Sequence, residues 1–223
     1  YKAVTYGNSS NSSHNVKTLS TALSRMSAIG AISLLVPGPK MIWHFADLGM
    51  NNSIFTASNG VVNTDSDATP GDAKLDTEPQ PQWTNNWLAD ANRNKIYADW
   101  SKMINLKLTQ PVFNGTYTIS SGYSVLTPKI YITDASLPST QLKNVVILSN
   151  FDVTDQNINP SFPYTGTWYN LMDNTSITVT DVNAPLLIEA GGFRIYGNEK
   201  STLGLTSFGL SQDIFLYPNP SST

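Results

Sequence analysis

Asp65, Asp67, Asp72 and Asp76 crowd one polar stretch. Calcium takes six to eight oxygen ligands, so such a run invites a calcium reading. It lacks the regular acid spacing and closing Glu of an EF-hand loop, and a solvated loop is the expectation. His14 and His44 are the two histidines, and there is no cysteine. A multi-histidine metal site within one chain, thiolate catalysis and disulfides are therefore excluded. His44 sits in the apolar run Lys40-Met41-Ile42-Trp43-His44-Phe45 and reads first as an interior histidine, since acid–base work needs a placed partner. Gly191-Gly192 precedes a strand pattern rather than a helix, so it is a turn and not a phosphate cradle.

The elements that must position these residues fall into three zones of the 223-residue chain. In the first, 1–113, Leu19, Leu23, Met26, Ile29 and Ile32 recur at helical spacing, with Thr18 or Ser20 as cap. Pro37-Gly38-Pro39 ends that helix. Lys40–Phe45 follows without clean alternation, which suits a strand buried on both faces of a parallel sheet. A long polar loop, 51–82, leads to a second helix over Asn92–Lys107, capped by Asp90, with Ile96, Trp100, Met103, Ile104 and Leu108 as its stripe.

In the second zone, 114–198, the period shortens. Thr116–Ser120, Ser124–Leu126, Lys129–Thr133, Asn144–Asn150, Gly166–Leu171, Ser176–Asp181, Leu186–Glu189 and Gly192–Tyr196 read as strands of an antiparallel sandwich. The third zone, 199–223, reads as a linker and the start of something else. The fold class expected is α/β plus all-β. One buried parallel strand leaves both its backbone edges unpaired, so the first zone is expected to continue an α/β domain begun upstream of Tyr1.

Charged residues make up 13% of the chain, against about 25% in ordinary domains. With a net charge of -3, the basic stripe of a nucleic-acid binder is missing. No apolar run reaches the roughly 18 residues of a membrane span. The first residue is Tyr1 rather than Met, which suggests a start inside a longer reading frame or after processing.

Several segments carry a family resemblance. Lys2–Asn15, Leu19-Ser20-Thr21-Ala22-Leu23-Ser24-Arg25-Met26 and Pro37-Gly38-Pro39-Lys40-Met41-Ile42-Trp43-His44-Phe45-Ala46-Asp47-Leu48-Gly49 resemble the end of the catalytic barrel in glycoside hydrolase family 13. These are the α-amylase-like enzymes, here most similar to those secreted by Bacteroidetes. Trp83, Asp90, Arg93, Tyr97 and Ile104-Asn105-Leu106-Lys107 resemble the lead into the eighth barrel helix. Tyr164–Leu171 and Gly191–Tyr196 are similar to strands of the β-sandwich that follows the barrel. Leu216-Tyr217-Pro218-Asn219-Pro220-Ser221 resembles the opening of a type IX secretion sorting domain.

The resemblance implies the end of a (β/α)8 barrel, with its last helices and eighth strand, followed by an antiparallel β-sandwich. It implies a parent that hydrolyses α-1,4-glucans, starch or maltooligosaccharides, with retention. The family's catalytic carboxylates would lie upstream of Tyr1, so no catalytic residue is assigned and the chain alone is expected to be inactive. Where many relatives have Gly-Glu-Leu-Gly this chain has Ala46-Asp47-Leu48-Gly49, and His44-Phe45 replaces a frequent Gln-Phe. Asp47 at the barrel's functional face, His44 and Trp83 are the substrate-binding candidates, while Trp87, Trp168 and Tyr169 are expected in cores. No metal site or cofactor is assigned to this chain, with calcium reserved for the parent. The partners implied are an α-glucan, the remainder of the barrel in the same parent or a companion fragment, and the type IX machinery, at a secreted or cell-surface location. Two other readings stay open: a carbohydrate-binding or surface-attachment sandwich over Gly115–Asn198, and a cargo piece held in an export complex.

Overall fold

The computed structural model describes residues 2–53, 82–120 and 125–201. Its first part is helical: α1 (Lys2–Tyr6), α2 (Leu19–Ser24), α3 (Met26–Leu34) and α4 (Ala91–Thr109). Arg25 separates α2 from α3, where one continuous helix was expected. The buried face also differs from the expected stripe. Leu23, Ala28, Ala31, Leu34 and Leu35 are buried, while Leu19 and Ile29 face outward. Small residues explain the change, because they let α4 approach closely. A Cβ added at Gly30 would lie 2.4 Å from Trp100 Nε1, and that nitrogen donates to the Met26 carbonyl at 2.9 Å.

Asp90 caps α4 as expected, its Oδ1 accepting from the amides of Asn92 (2.9 Å) and Arg93 (3.0 Å). Ile96, Trp100, Met103 and Leu106 are its buried face, and Leu108 is 80% exposed. Lys107 Nζ donates to the carbonyls of Leu34, Val36 and Gly38, which lie at and beyond the end of α3. Those carbonyls have no intrahelical partner, so the cation caps one helix from another.

Among the described residues eight strands follow: β1 (Thr116–Ser120), β2 (Lys129–Thr133), β3 (Asn144–Ser149), β4 (Gln156–Ile158), β5 (Gly166–Asn170), β6 (Ser176–Val179), β7 (Leu186–Ile188) and β8 (Phe193–Gly197). Six form one sheet in the order β1-β2-β3-β8-β5-β6, and β4 pairs with β7. Every strand pairing among the described residues is antiparallel. All six residues of the central strand β3 are buried. Val145 and Ile147 pack with the helices, and Val146 and Leu148 with the two-stranded sheet. Each such burial contributes about 1.5–3 kcal/mol. The six-stranded sheet thus lies between a helical layer and a small second sheet. One apolar core joins α2, α3 and α4 to the sheet. Trp168, Phe162, Ile158 and Ile188 fill the other side.

Two expected strands do not appear among the described residues. Val125 and Leu126 are not in a strand, and Ser124 lies outside the described residues. Lys40–Phe45 is the larger correction. It forms no strand, Met41 is 82% exposed and Trp43 is also exposed. A strand needs a neighbour for its backbone groups. Among the described residues, the paired strands all belong to the two antiparallel sheets, and none flanks this segment. The helix–turn–strand unit expected for a barrel end therefore does not form. No described helix is long and apolar enough to cross a membrane. Asp65, Asp67, Asp72, Asp76 and the Tyr217-Pro218-Asn219-Pro220 motif lie outside the described residues.

Candidate functional site

The segment after Pro39 folds into a tight double turn. The amides of Ala46, Leu48 and Gly49 donate to the carbonyls of Trp43, Phe45 and Ala46 at 2.9–3.0 Å. His44 (φ 30°) and Phe45 (φ 58°) are both left-handed. For residues bearing a Cβ this costs about 1–3 kcal/mol each, and it persists only where the surroundings over-determine it. Gly49 is also left-handed, at φ 62°, and a Cβ there would lie 2.4 Å from Leu23 Cδ2. Glycine meets both demands.

Arg93 supplies the constraint. One guanidinium nitrogen donates to the carbonyls of Leu48 and Gly49, each at 2.7 Å, and the other to Asn51 Oδ1 at 2.8 Å. The guanidinium stacks 4.2 Å from the Trp87 ring centroid. Burial pushes its pKa down and Asp90 pulls it back, and an arginine remains charged through such shifts. Gln82 Oε1 accepts from Asn52 Nδ2 (3.1 Å) and Asn85 Nδ2 (2.7 Å). These bonds tie the turn to the 3₁₀ segment Trp83–Asn85.

An aromatic cluster results. The Phe45 ring centroid lies 4.5 Å from Trp83, 6.1 Å from Trp87 and 5.0 Å from His44, all edge-on. Trp83 is 79% exposed. Asp47 is half-buried in the 3₁₀ turn Ala46–Leu48 that follows. The three residues singled out from sequence thus stand close together in the fold. His44 and Trp83 touch one phenylalanine, and Asp47 belongs to the same turn. An exposed indole packed on the phenylalanine of a turn that also carries an imidazole and a carboxylate can offer an apolar face to a hydroxyl-rich ring. Retaining glycoside hydrolysis needs two carboxyl groups about 5–5.5 Å apart. Asp90 is the other acid in these segments, and two backbone amides engage it as the α4 cap. The arrangement can bind but shows no catalytic pair. Among the described residues no group of three potential metal ligands converges.

The expectation that Trp168 is core holds. It is fully buried, 4.7 Å from Phe162 and 5.2 Å from Tyr164. Trp87 is half-buried against Phe45 and Arg93. Tyr169 is half-buried, with Lys200 Nζ 5.5 Å from its ring centroid. The role of Arg93 was missed from sequence, although a signal existed: a cation in the first turn of a helix opposes the dipole. A residue placed there against its electrostatic preference needs another engagement.

No family model and no curated protein matches the sequence. Solved structures do match the fold. AmyP in complex with maltose shares 8% identity at a TM-score of 0.57, over 82% of this chain and 36% of that one. A variant of AmyP in complex with maltotriose gives 9% and 0.58, over 81% and 35%. Pullulanase type I from Bacillus subtilis str. 168, complexed with maltose, gives 13% and 0.52, over 81% and 24%. The chain thus spans about a third of the length of the first of these structures. The likeness concerns fold alone: an antiparallel, sheet-rich unit matching the C-terminal domains of α-amylase-like enzymes.

Proposed function

We propose that this chain is the C-terminal part of an α-amylase-like glycoside hydrolase whose parent cleaves α-1,4-glucan with retention. The aromatic cluster of Phe45, Trp83 and Trp87, built on the turn that continues into Asp47, is the observation that carries this reading. It offers an exposed stacking surface on a strained and clamped turn, which is the kind of place where binding residues are held. The fold neighbours in complex with maltose and maltotriose support an α-glucan as ligand.

In this reading Trp83 stacks on a sugar ring, and Asp47 and His44 receive its hydroxyls. The catalytic carboxylates belong to the parent's barrel. Met41, Ile42 and Trp43, exposed here, meet that barrel. The units proposed are 1–113 for the barrel's end, 114–198 for the sandwich, and 199–223 for a linker and sorting signal. Secretion through a type IX system, and calcium in the parent, belong to the same proposal. The former rests on Tyr217-Pro218-Asn219-Pro220.

The rival reading, a glycan-binding sandwich acting alone, loses Trp168 as a binding surface because that ring is fully buried. Two assays test the proposal. Starch incubated with the 223-residue chain should release no reducing ends, and turnover would overturn the assignment of catalysis to the parent. The chain should be retarded on immobilised amylose more than its Trp83→Ala variant; equal mobility would remove the stacking role.

A further inference from the structure

A second concave surface lies away from the aromatic cluster. A cleft of about 610 Å³ opens between α4, the β5–β6 turn and the β7–β8 turn. Lys95, Asp99, Lys102, Asp173, Glu189 and Arg194 supply its charged walls. Each of these groups is already held. Lys95 Nζ donates to Asp99 Oδ2 at 2.7 Å. Arg194 grips both oxygens of Glu189, at 3.0 and 2.9 Å. Lys102 donates to the Met172 carbonyl. Asp173 accepts from the Thr175 amide (2.9 Å) and hydroxyl (2.6 Å), and from Asn170 Nδ2 (3.2 Å). Gly192 keeps Glu189 in place, since a Cβ there would lie 2.5 Å from the Glu189 carboxyl carbon.

The walls carry three cations and three anions, so no net charge calls for an ionic ligand. The held groups still have capacity. An ammonium has three donors and a carboxylate about four acceptor positions, and the contacts above fill only some of them. Alternating donors and acceptors at fixed positions suit vicinal hydroxyls, which both donate and accept. Met172 and Phe193, half-buried on the lining, offer apolar contact for the C–H face of a ring. The volume lies within the usual small-ligand range of about 300–1,000 Å³.

We infer that this cleft binds a short neutral oligosaccharide, as a site separate from the Trp83 cluster. The inference stands on the cleft's chemistry. Only the use of maltotriose as one probe rests on the α-glucan reading.

The test is an amide NMR titration of the full chain with maltotriose and, separately, cellotriose. At least one should shift signals of 95–102 and 189–194 saturably, equally so in Trp83→Ala. The double variant Lys95→Ala, Asp99→Ala, which removes both partners of one ion pair, should weaken that binding about tenfold by removing hydrogen bonds to charged groups. Glu189→Gln should weaken it while keeping side-chain shape. Cellotriose binding without maltotriose binding supports the cleft and removes the α-glucan reading. Shifts confined to the Trp83 region overturn the cleft and leave the aromatic site standing. Silence from both sugars, or no weakening in either variant, also overturns it.

Discussion

Replacing Arg93 by methionine should release the turn that presents Asp47 and Trp83. The side chain makes three charge-assisted hydrogen bonds, at 2.7, 2.7 and 2.8 Å. At about 1.5–3 kcal/mol each, the gross loss is about 4.5–9 kcal/mol. Removing the cation also removes its desolvation penalty, several kcal/mol for a buried ion. It relieves about 0.3–1 kcal/mol of unfavourable interaction with the α4 dipole. The net destabilisation expected is about 2–4 kcal/mol. The left-handed residues His44 and Phe45 store strain of about 1–3 kcal/mol each. That is comparable with the net value of the clamp, so the turn should open before the sheet unfolds. Urea denaturation followed by tryptophan emission and by far-ultraviolet circular dichroism separates the two events. In the wild type the curves should coincide. In Arg93→Met the emission should change first. Arg93→Lys should not restore coincidence, because one ammonium cannot fork to the same three acceptors while stacking on Trp87. Coincident curves in Arg93→Met with stability within about 0.5 kcal/mol of wild type, the range of ordinary surface substitutions, would refute the clamp.

Gly30→Ala should destabilise by about 1–3 kcal/mol through overpacking against Trp100, measured by urea denaturation, whereas Ser33→Ala on the exposed face of α3 should be near neutral. Asn198→Ala should cost about 1–3 kcal/mol in the same assay, because its Oδ1 accepts from the amides of Lys143 and Asn144 at the start of β3. His14 contributes a pH dependence. Burial, then Arg25 at 2.9 Å, lower its pKa from 6.5, against an upward pull from Asp155. The folded state therefore binds fewer protons than the unfolded state. This contribution is fully present above pH 6.5 and declines as the pH falls below it. His14→Gln should flatten the stability profile as the pH falls below 6.5; an unchanged slope there would contradict the assignment.

Strands were legible where burial on one or both faces left a pattern. Asn144–Asn150 reads as a strand, and Asn144–Ser149 forms one whose two faces are both covered. Gln156–Ile158 was missed because a three-residue strand with one buried apolar residue leaves no periodic signal. The α3 face was misread because hydrophobicity favours Ile29, whereas packing here selects Ala28, Gly30 and Ala31 for their small size. Lys40–Phe45 shows the opposite limit. Its composition is that of a buried strand, but composition cannot supply the neighbour that completes one. At the candidate site, the family resemblance singled out His44, Asp47 and Trp83. It could not show that Phe45 gathers the rings, nor that Arg93, distant in sequence, holds the turn.

The central claim is that the Phe45–Trp83–Trp87 cluster binds α-glucan. Maltotriose titration of the 223-residue chain, followed by tryptophan emission, tests it most directly, since no tryptophan lines the second cleft. The account predicts a saturable emission change that disappears in Trp83→Ala. No change in the wild type, or the same change in both proteins, would contradict it.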